Sequence, residues 1–157
     1  MKKNLQRLYQ TGISLLEVLL SLSIIAIILV MATRYFFVAS NTDRVNIARQ
    51  EVGELIAATH SWKNQNPTYD PSLTINQLYQ DGFLATSSSL SAARDKMYDP
   101  WGNEITYTAS ATGVSISMTT PSAGDCTSLL NSYPGTPDGK GGQCTGGDNK
   151  QFTLSFS

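Results

Sequence analysis

The chain has 157 residues, of which 15% are charged, and its formal net charge is −1. This length suits one domain with an appendage, and the lack of a basic excess argues against nucleic acid as a partner. Its two cysteines, Cys126 and Cys144, have no histidine nearby and are too few for a four-ligand zinc site. If they lie outside the cytoplasm, a disulfide is expected, and the alternative is two unpaired thiols.

A basic leader precedes a long apolar run. Residues 1–12 contain three basic residues and no acidic one, which favours a cytoplasmic N-terminus. Residues 13–33 form a run of 21 residues with one charge, Glu17. As a helix this run would be about 32 Å long, close to the hydrocarbon thickness of a bilayer, roughly 30 Å. We therefore expect residues 13–33 to enter the membrane.

The junction between leader and apolar run resembles a known family. The segment GISLLEVLL, residues 12–20, is similar to the class III prepilin leader of type IV pilins and type II secretion pseudopilins. The resemblance implies that a prepilin peptidase cuts between Gly12 and Ile13 and then methylates the Ile13 amine. The family often has Phe or Met where this chain has Ile13. Glu17 falls at the fifth mature position, where the family carries glutamate.

Glu17 also calls for a physical explanation. A charge at the centre of an apolar span costs about 2.5–3.5 kcal/mol. Cleavage after Gly12 would create a nearby cation, the Ile13 amine, and pairing of Glu17 with the amine of a neighbouring copy would offset both costs. Such a heterologous contact generates an open helical filament if its rotation does not close. The alternative is that Glu17 lies near the membrane surface and interacts favourably with the positive N-terminal end of the helix. The resemblance favours the contact between subunits.

The helix is predicted to continue to about Trp62, since no proline occurs between Ile13 and Asn66. Residues 34–62 carry one apolar stripe with spacings of three and four, which should dock on a head domain. The stripe consists of Val45, Ala48, Val52, Leu55, Thr59 and Trp62, and Arg44, Arg49, Glu51 and Glu54 are expected mostly off it.

Residues 63–157 predict a small head. Thr74 and Gln77 predict a capping box that starts a short helix, with Leu73 and Leu78 as its hydrophobic staple and Gly82 as its end. The string DPWGN, residues 99–103, predicts a turn and resembles the segment before the sheet in type II pseudopilins. Residues 104–108 and 114–118 predict a hairpin, and alternating apolar residues at 152–156 predict a last strand. The expected fold is α+β, a long helix packed on a small antiparallel sheet.

No catalytic constellation is present in the sequence, so we expect no enzyme and no cofactor. His60 is expected at the surface. Residues 137–142 resemble a calcium-binding loop of major type II pseudopilins, and Asp138 and Asp148 are the candidate ligands. Their small number, and Cys144 between them, make calcium the less favoured interpretation.

The leading hypothesis is a structural subunit of a type IV pilus. The 12-residue leader and the C-terminal cysteine pair favour the type IVb-like group, in which a disulfide-bounded C-terminal region is typical. The resemblance implies a single-pass inner-membrane precursor with a cytoplasmic N-terminus, a prepilin peptidase, an assembly platform, minor pilins and identical subunits as partners. The alternatives are a periplasmic type II secretion pseudopilin and a single-pass membrane-anchored protein with a periplasmic binding or enzymatic domain.

Overall fold

A computed structural model describes residues 14–87, 89–135 and 141–157. The chain divides into two compact units, Met1–Ser40 and Asn41–Ser157. In chain order the elements are α1 (Leu15–Gln65), α2 (Ile75–Gln80), β1 (Met97–Tyr98), β2 (Glu104–Ser110), β3 (Gly113–Thr119), α3 (Ala123–Leu130), β4 (Gly141–Thr145), a 3-10 turn (Gly147–Asn149) and β5 (Gln151–Phe156).

The predicted long helix is confirmed as α1, a single helix of 51 residues. Its end is capped by Asn66, whose side-chain amide donates to the carbonyl of Trp62 over 2.9 Å. Pro67 follows and has no backbone N–H with which to continue the helix. Gly53 does not interrupt α1, and the Tyr133 hydroxyl lies 3.5 Å from where a β-carbon would stand.

The predicted apolar stripe of α1 is confirmed, since all six of its members are buried. Glu51, one of the four charged residues expected mostly off the stripe, is nevertheless buried, with a side chain that is only 7% exposed. Ala58 is buried as well. Glu51 and Ala58 are each three or four residues from stripe members, so they occupy a neighbouring row of the same helix face. The buried surface is therefore wider than a single row of the helix.

The short helix α2 begins and ends as the sequence predicts. Thr74 accepts a hydrogen bond from the Gln77 amide, and the Gln77 side chain accepts one from the Thr74 amide, which completes the capping box. Gly82 follows the helix at φ 79°, a left-handed conformation that suits glycine. Leu73 and Leu78, the predicted staple, are both buried in the core.

The five strands form one antiparallel sheet in the order β1-β2-β3-β5-β4. The predicted hairpin is confirmed as β2 and β3, and the predicted last strand is β5. Inward residues of the sheet share one core with α1, and Thr59 of α1 contacts the Tyr107 hydroxyl of β2 at 3.0 Å. The predicted α+β class is therefore confirmed.

Two elements near the cysteines were not predicted. The segment expected as a loop contributes Gly141, Gly142 and Gln143 to strand β4, which pairs with β5. Ahead of it, Ser122 caps helix α3 and accepts a hydrogen bond from the Asp125 amide over 3.2 Å. The described residues of the C-terminal quarter therefore contain more regular structure than their composition suggests.

Candidate functional site

Among the described residues, exposed large apolar side chains are concentrated on the first part of α1. This helix contains an 18-residue window with a mean hydropathy of 2.8, and none of that window is buried. Large apolar side chains from Leu15 to Met31 are each at least 45% exposed. Water is an unfavourable environment for so much apolar surface, so this segment requires lipid or other apolar helices around it.

Glu17 lies in the first turn of α1. The Ser14 carbonyl starts the helix by accepting hydrogen bonds from the amides of Glu17 at 2.9 Å and Val18 at 3.2 Å. A carboxylate in the first turn is favoured by the positive end of the helix dipole. Glu17 also borders a groove that is otherwise lined by Val18, Ser21, Leu22 and Ile25. The predicted cleavage residues Gly12 and Ile13 lie outside the described residues.

The hydroxyl groups of the apolar segment bond to the helix itself. Ser21 donates to the Glu17 carbonyl over 2.9 Å, Ser23 to the Leu20 carbonyl over 2.7 Å and Thr33 to the Leu29 carbonyl over 3.0 Å. Such bonds reduce the cost of placing a hydroxyl in an apolar environment. Glu17 is the one ionisable side chain among described residues 14–33. Its carboxylate is therefore the group of this segment that most needs a partner.

Helix α3 is joined to the second part of α1 by polar contacts. The Asn41 side-chain amide donates to an Asp125 carboxylate oxygen over 2.6 Å. Arg49 donates to the Ser128 carbonyl over 2.7 Å, and the Tyr133 hydroxyl donates to the Arg49 carbonyl over 2.9 Å. These contacts hold the cysteine-containing region to the long helix.

The predicted disulfide joins Cys126 of α3 to Cys144 of β4, with an S–S distance of 2.02 Å. Cys126 is fully buried and belongs to the core. The bond therefore links helix α3 to strand β4. A crosslink of this kind reduces the conformational freedom of the unfolded chain.

Glu51 is a buried carboxyl group that the sequence did not reveal. Its Oε2 atom has no hydrogen-bond partner among the described residues. Burial, followed by the negative charge of Asp99, raises the pKa of Glu51 to about 7; a hydrogen bond from Ser89 acts in the opposite direction, and the charge of Glu54 adds a smaller increase. Glu51 therefore takes up a proton near neutral pH, where an exposed glutamate is ionised.

The DPWGN segment forms the predicted turn. Asp99 is 4% exposed, and its Oδ1 accepts hydrogen bonds from the amides of Trp101 at 3.0 Å and Asn103 at 2.8 Å. Gly102 adopts φ 90°, and its amide donates to the Asp99 carbonyl over 2.9 Å. An aspartate that bonds its own downstream backbone is a strong turn former. The turn has a structural role and places the Asp99 charge near Glu51.

The remaining candidate residues lie apart from one another. His60 is exposed, as predicted, and its ring centroid lies 5.5 Å from that of Phe156. Asp148 is exposed and forms an ion pair of 3.4 Å with Lys150, and Asp138 lies outside the described residues. The described residues contain no group of three metal-ligating side chains. Calcium binding by Asp138 and Asp148 stays a prediction.

Comparison with known proteins supports the N-terminal assignment. Residues 7–33 match the family model described as the prokaryotic N-terminal methylation motif. No curated protein and no solved structure matches the chain. The match covers the end of the leader, from residue 7, and the whole apolar run. The long helix and the small antiparallel sheet fit the pilin fold. The chain therefore carries a type IV pilin-like prepilin leader.

Proposed function

We propose that the chain is a structural subunit of a type IV pilus, cleaved by prepilin peptidase after Gly12 and methylated at Ile13. It polymerises through α1. In this proposal residues 1–12 are the leader, residues 13–33 the membrane and filament-core half of the helix, residues 34–62 the amphipathic half, and residues 63–157 the head. The precursor lies in the inner membrane with its N-terminus in the cytoplasm, and the assembled subunit lies in a surface pilus.

One observation carries the proposal: the first part of α1 is strongly apolar and its side chains are exposed. The second part of the same helix buries its apolar face in the head. A helix with these two parts can remain folded while its first part exchanges lipid neighbours for identical helices. A plain membrane anchor would also have an exposed apolar first part, but the matched methylation motif favours an assembling subunit.

Glu17 is expected to set the axial offset between neighbouring subunits in the filament. After cleavage, each subunit would carry the Ile13 amine and the Glu17 carboxylate in one apolar zone. Opposite charges in a medium of low dielectric constant attract strongly, and an unpaired charge there is costly. Pairing Glu17 of one subunit with the amine of the next therefore favours one axial offset between neighbouring helices.

Substitution of Glu17 tests this assembly role. Glu17→Ala should leave membrane insertion intact, because it removes a charge from the apolar segment, and should strongly reduce filament formation. Ser21→Ala is the matched control, since it changes the same groove and removes a hydroxyl that bonds only to its own helix. Filaments would be counted by electron microscopy of sheared fractions. Normal filaments from Glu17→Ala cells would refute the charge-pairing role.

A type II secretion pseudopilin is the second candidate, favoured by the DPWGN turn with its buried Asp99. Both candidates assemble by the same helix packing and differ in where the polymer grows. An epitope inserted within residues 139–142 separates them. Labelling of long extracellular fibres on intact cells supports the pilus, whereas labelling only after the outer membrane is opened supports the pseudopilin.

A single-pass membrane protein with a periplasmic binding or enzymatic domain is the alternative from another functional class. It requires the leader to remain attached and the protein to stay unpolymerised. Crosslinking of cysteines placed along the first part of α1 distinguishes this alternative. Ladders of many crosslinked copies support polymerisation, and monomers alone support the anchored domain.

A further inference from the structure

Four consecutive residues at the end of the apolar run surround helix α1. They are Arg34, Tyr35, Phe36 and Phe37, and the three aromatic side chains are 77%, 68% and 72% exposed. Successive residues of an α-helix point about 100° apart, so these four side chains cover every side of the helix. The rings of Phe36 and Phe37 contact each other edge to face, with their centroids 6.2 Å apart. We call these four residues the collar.

The composition of α1 changes across the collar. Before it, residues 13–33 carry one charge, Glu17, and after it residues 41–44 are all polar. Such a change marks the level at which a membrane-spanning helix leaves the hydrocarbon. Tyrosine and arginine suit this level because each joins an apolar ring or stem to a polar end, and phenylalanine is common on the apolar face of helices that lie in the interface.

Arg34 is the charged member of the collar and calls for an anionic partner. Its side chain is exposed and forms no hydrogen bond or ion pair within the described part of the chain. At the edge of an apolar segment an unpaired charge is costly. A bilayer supplies phosphate groups at this level, and a guanidinium group can bind a phosphate through two parallel hydrogen bonds. Lipid phosphate therefore fits Arg34 by both charge and geometry.

The spacing along α1 fits the thickness of a bilayer. Between Glu17 and Arg34 the helix is continuous, and 17 steps of 1.5 Å give a rise of about 26 Å. The hydrocarbon core is roughly 30 Å thick. For a helix along the bilayer normal, a collar at one edge of the hydrocarbon therefore places Glu17 about 4 Å inside the opposite edge. The position of the collar thus determines how deep the Glu17 carboxylate lies.

The distribution of the collar around the helix favours lipid over a second copy of the chain. Docking of one second helix buries a single apolar stripe and leaves the other sides polar. The collar instead has an aromatic ring or an arginine on every side of α1. A surrounding that is the same on all sides matches this arrangement, and the headgroup layer of a bilayer is such a surrounding.

We propose that the collar binds the phospholipid headgroup layer on the membrane face opposite the leader, with Arg34 on a lipid phosphate and the three aromatic rings at the boundary with the acyl chains. In the proposed orientation this is the periplasmic face. The collar therefore anchors the precursor at one depth and holds Glu17 in the apolar zone near the other face. This inference rests on the proposed membrane insertion of residues 13–33 and adds a lipid contact that assembly must exchange for neighbouring subunits.

The test places the full chain in thin and in thick phosphatidylcholine nanodiscs, in phosphate-free buffer. Lipids with a nitroxide on the headgroup relax nearby amide resonances, which gives a depth profile along α1. We expect the relaxation maximum on the collar side to fall within residues 34–37 in both bilayers and to move by no more than about one residue. The difference in thickness should be taken up at the leader end of the helix.

Removal of the rings should release this anchor. In a variant that combines Tyr35→Ala, Phe36→Ala and Phe37→Ala, the same maximum should move between thin and thick bilayers by about one helical turn, three to four residues. The matched control removes three exposed apolar side chains from within the run and should keep the wild-type profile. Its changes are Leu29→Ala, Val30→Ala and Met31→Ala, at positions that are 59%, 60% and 66% exposed. Retained amide dispersion verifies that the head is folded in both variants.

The phosphate contact of Arg34 has its own measurement. Solid-state resonance of chains with isotope-labelled arginine detects guanidinium groups whose signal is dephased by lipid phosphorus. We expect one dephased signal to be lost in Arg34→Gln and retained in Arg44→Gln, which removes an exposed arginine from the polar segment beyond the collar. Loss of no dephased signal in Arg34→Gln would overturn the phosphate contact.

Other results would overturn the anchoring role. They are a collar-side maximum outside residues 34–37, a maximum that follows bilayer thickness in the wild type, and an aromatic variant that stays as fixed as the wild type. Relaxation of the collar by a nitroxide on a second copy, without relaxation by the lipid headgroups, would assign the collar to contact between subunits. A nitroxide at the middle of the acyl chains separates the two levels of failure. If it relaxes none of residues 14–33, membrane insertion itself is refuted; if it relaxes them while the collar results fail, only the collar inference falls.

Discussion

Replacement of Glu51 by glutamine should change how the stability of the head depends on pH. Glu51→Gln keeps the size and hydrogen-bonding capacity of the side chain but cannot ionise. In the native protein, burial and the neighbouring Asp99 raise the pKa of Glu51 from 4.5 to about 7. In the unfolded chain the pKa of Glu51 returns to its ordinary value of 4.5. Between pH 4.5 and about pH 7 the native state therefore holds a proton that the unfolded state has released.

The sign and size of the pH effect on the free energy of unfolding follow from this difference in the pKa of Glu51. Wherever the native state binds more protons than the unfolded state, the free energy of unfolding falls as pH rises. The contribution of Glu51 should therefore be most favourable below pH 4.5, decline up to about pH 7, and stay constant above it. At about 1.4 kcal/mol per pKa unit the full loss is about 3 kcal/mol. Glu51→Gln should avoid that loss.

Urea unfolding of the detergent-solubilised full chain, followed by tryptophan fluorescence, measures the effect. Trp62 lies in the core of the head, so its fluorescence reports on unfolding of the head. Relative to the wild type, Glu51→Gln should be about equally stable near pH 4.5 and about 2–3 kcal/mol more stable near pH 8. Glu54→Gln, at a partly exposed position that bonds Gln50, should show no comparable change. A constant difference between Glu51→Gln and wild type at every pH would refute the reasoning.

Three further changes test the packing of the head. Replacement of both Cys126 and Cys144 by serine should lower the free energy of unfolding by about 3 kcal/mol, because the closed loop no longer restricts the unfolded chain; thermal unfolding with and without reductant measures it. Leu55→Ala should cost about 2–5 kcal/mol in urea unfolding, because it leaves a cavity at a fully buried site. Asp99→Ala should cost about 1–3 kcal/mol by the same assay, because it removes the acceptor of two part-buried hydrogen bonds, those donated by the amides of Trp101 and Asn103.

Each of these changes has its own control. Reductant should destabilise the wild type but not the double serine variant, and equal sensitivity would contradict the stabilising role of the disulfide. Ile47→Ala, at a side chain that is 42% exposed, should cost far less than Leu55→Ala. Asp95→Ala removes an exposed carboxylate that bonds Ser91, and a cost as large as that of Asp99→Ala would contradict the role of the buried turn.

Local sequence signals predicted the elements that depend on local chemistry. The stripe from Val45 to Trp62 was readable because helix geometry repeats every 3.6 residues, and α2 was readable because a capping box needs only Thr74 and Gln77. The hairpin of β2 and β3 follows from alternation around a turn. In each case the residues that determine the structure lie close together in sequence.

Long-range contacts explain what the sequence did not reveal. Strand β4 has two glycines and no apolar alternation, and it is a strand because β5 pairs with it and Cys144 ties it to α3. The raised pKa of Glu51 reflects burial and the charge of Asp99, which lies far away in sequence in the DPWGN turn. Helix α3 did carry a local signal, since Ser122 and Asp125 have capping-box spacing, but Gly124 and short polar residues obscured it.

The N-terminus of the mature protein tests the central claim most directly. Intact-mass and N-terminal peptide mass spectrometry would be performed on protein from cells with an active prepilin peptidase, and on protein from matched cells without it. The pilin account predicts a chain that begins at Ile13 and carries one methyl group on its amine in the first cells, and an uncut leader in the second. A chain that keeps residues 1–12 in both, or that is cut elsewhere, would contradict the account.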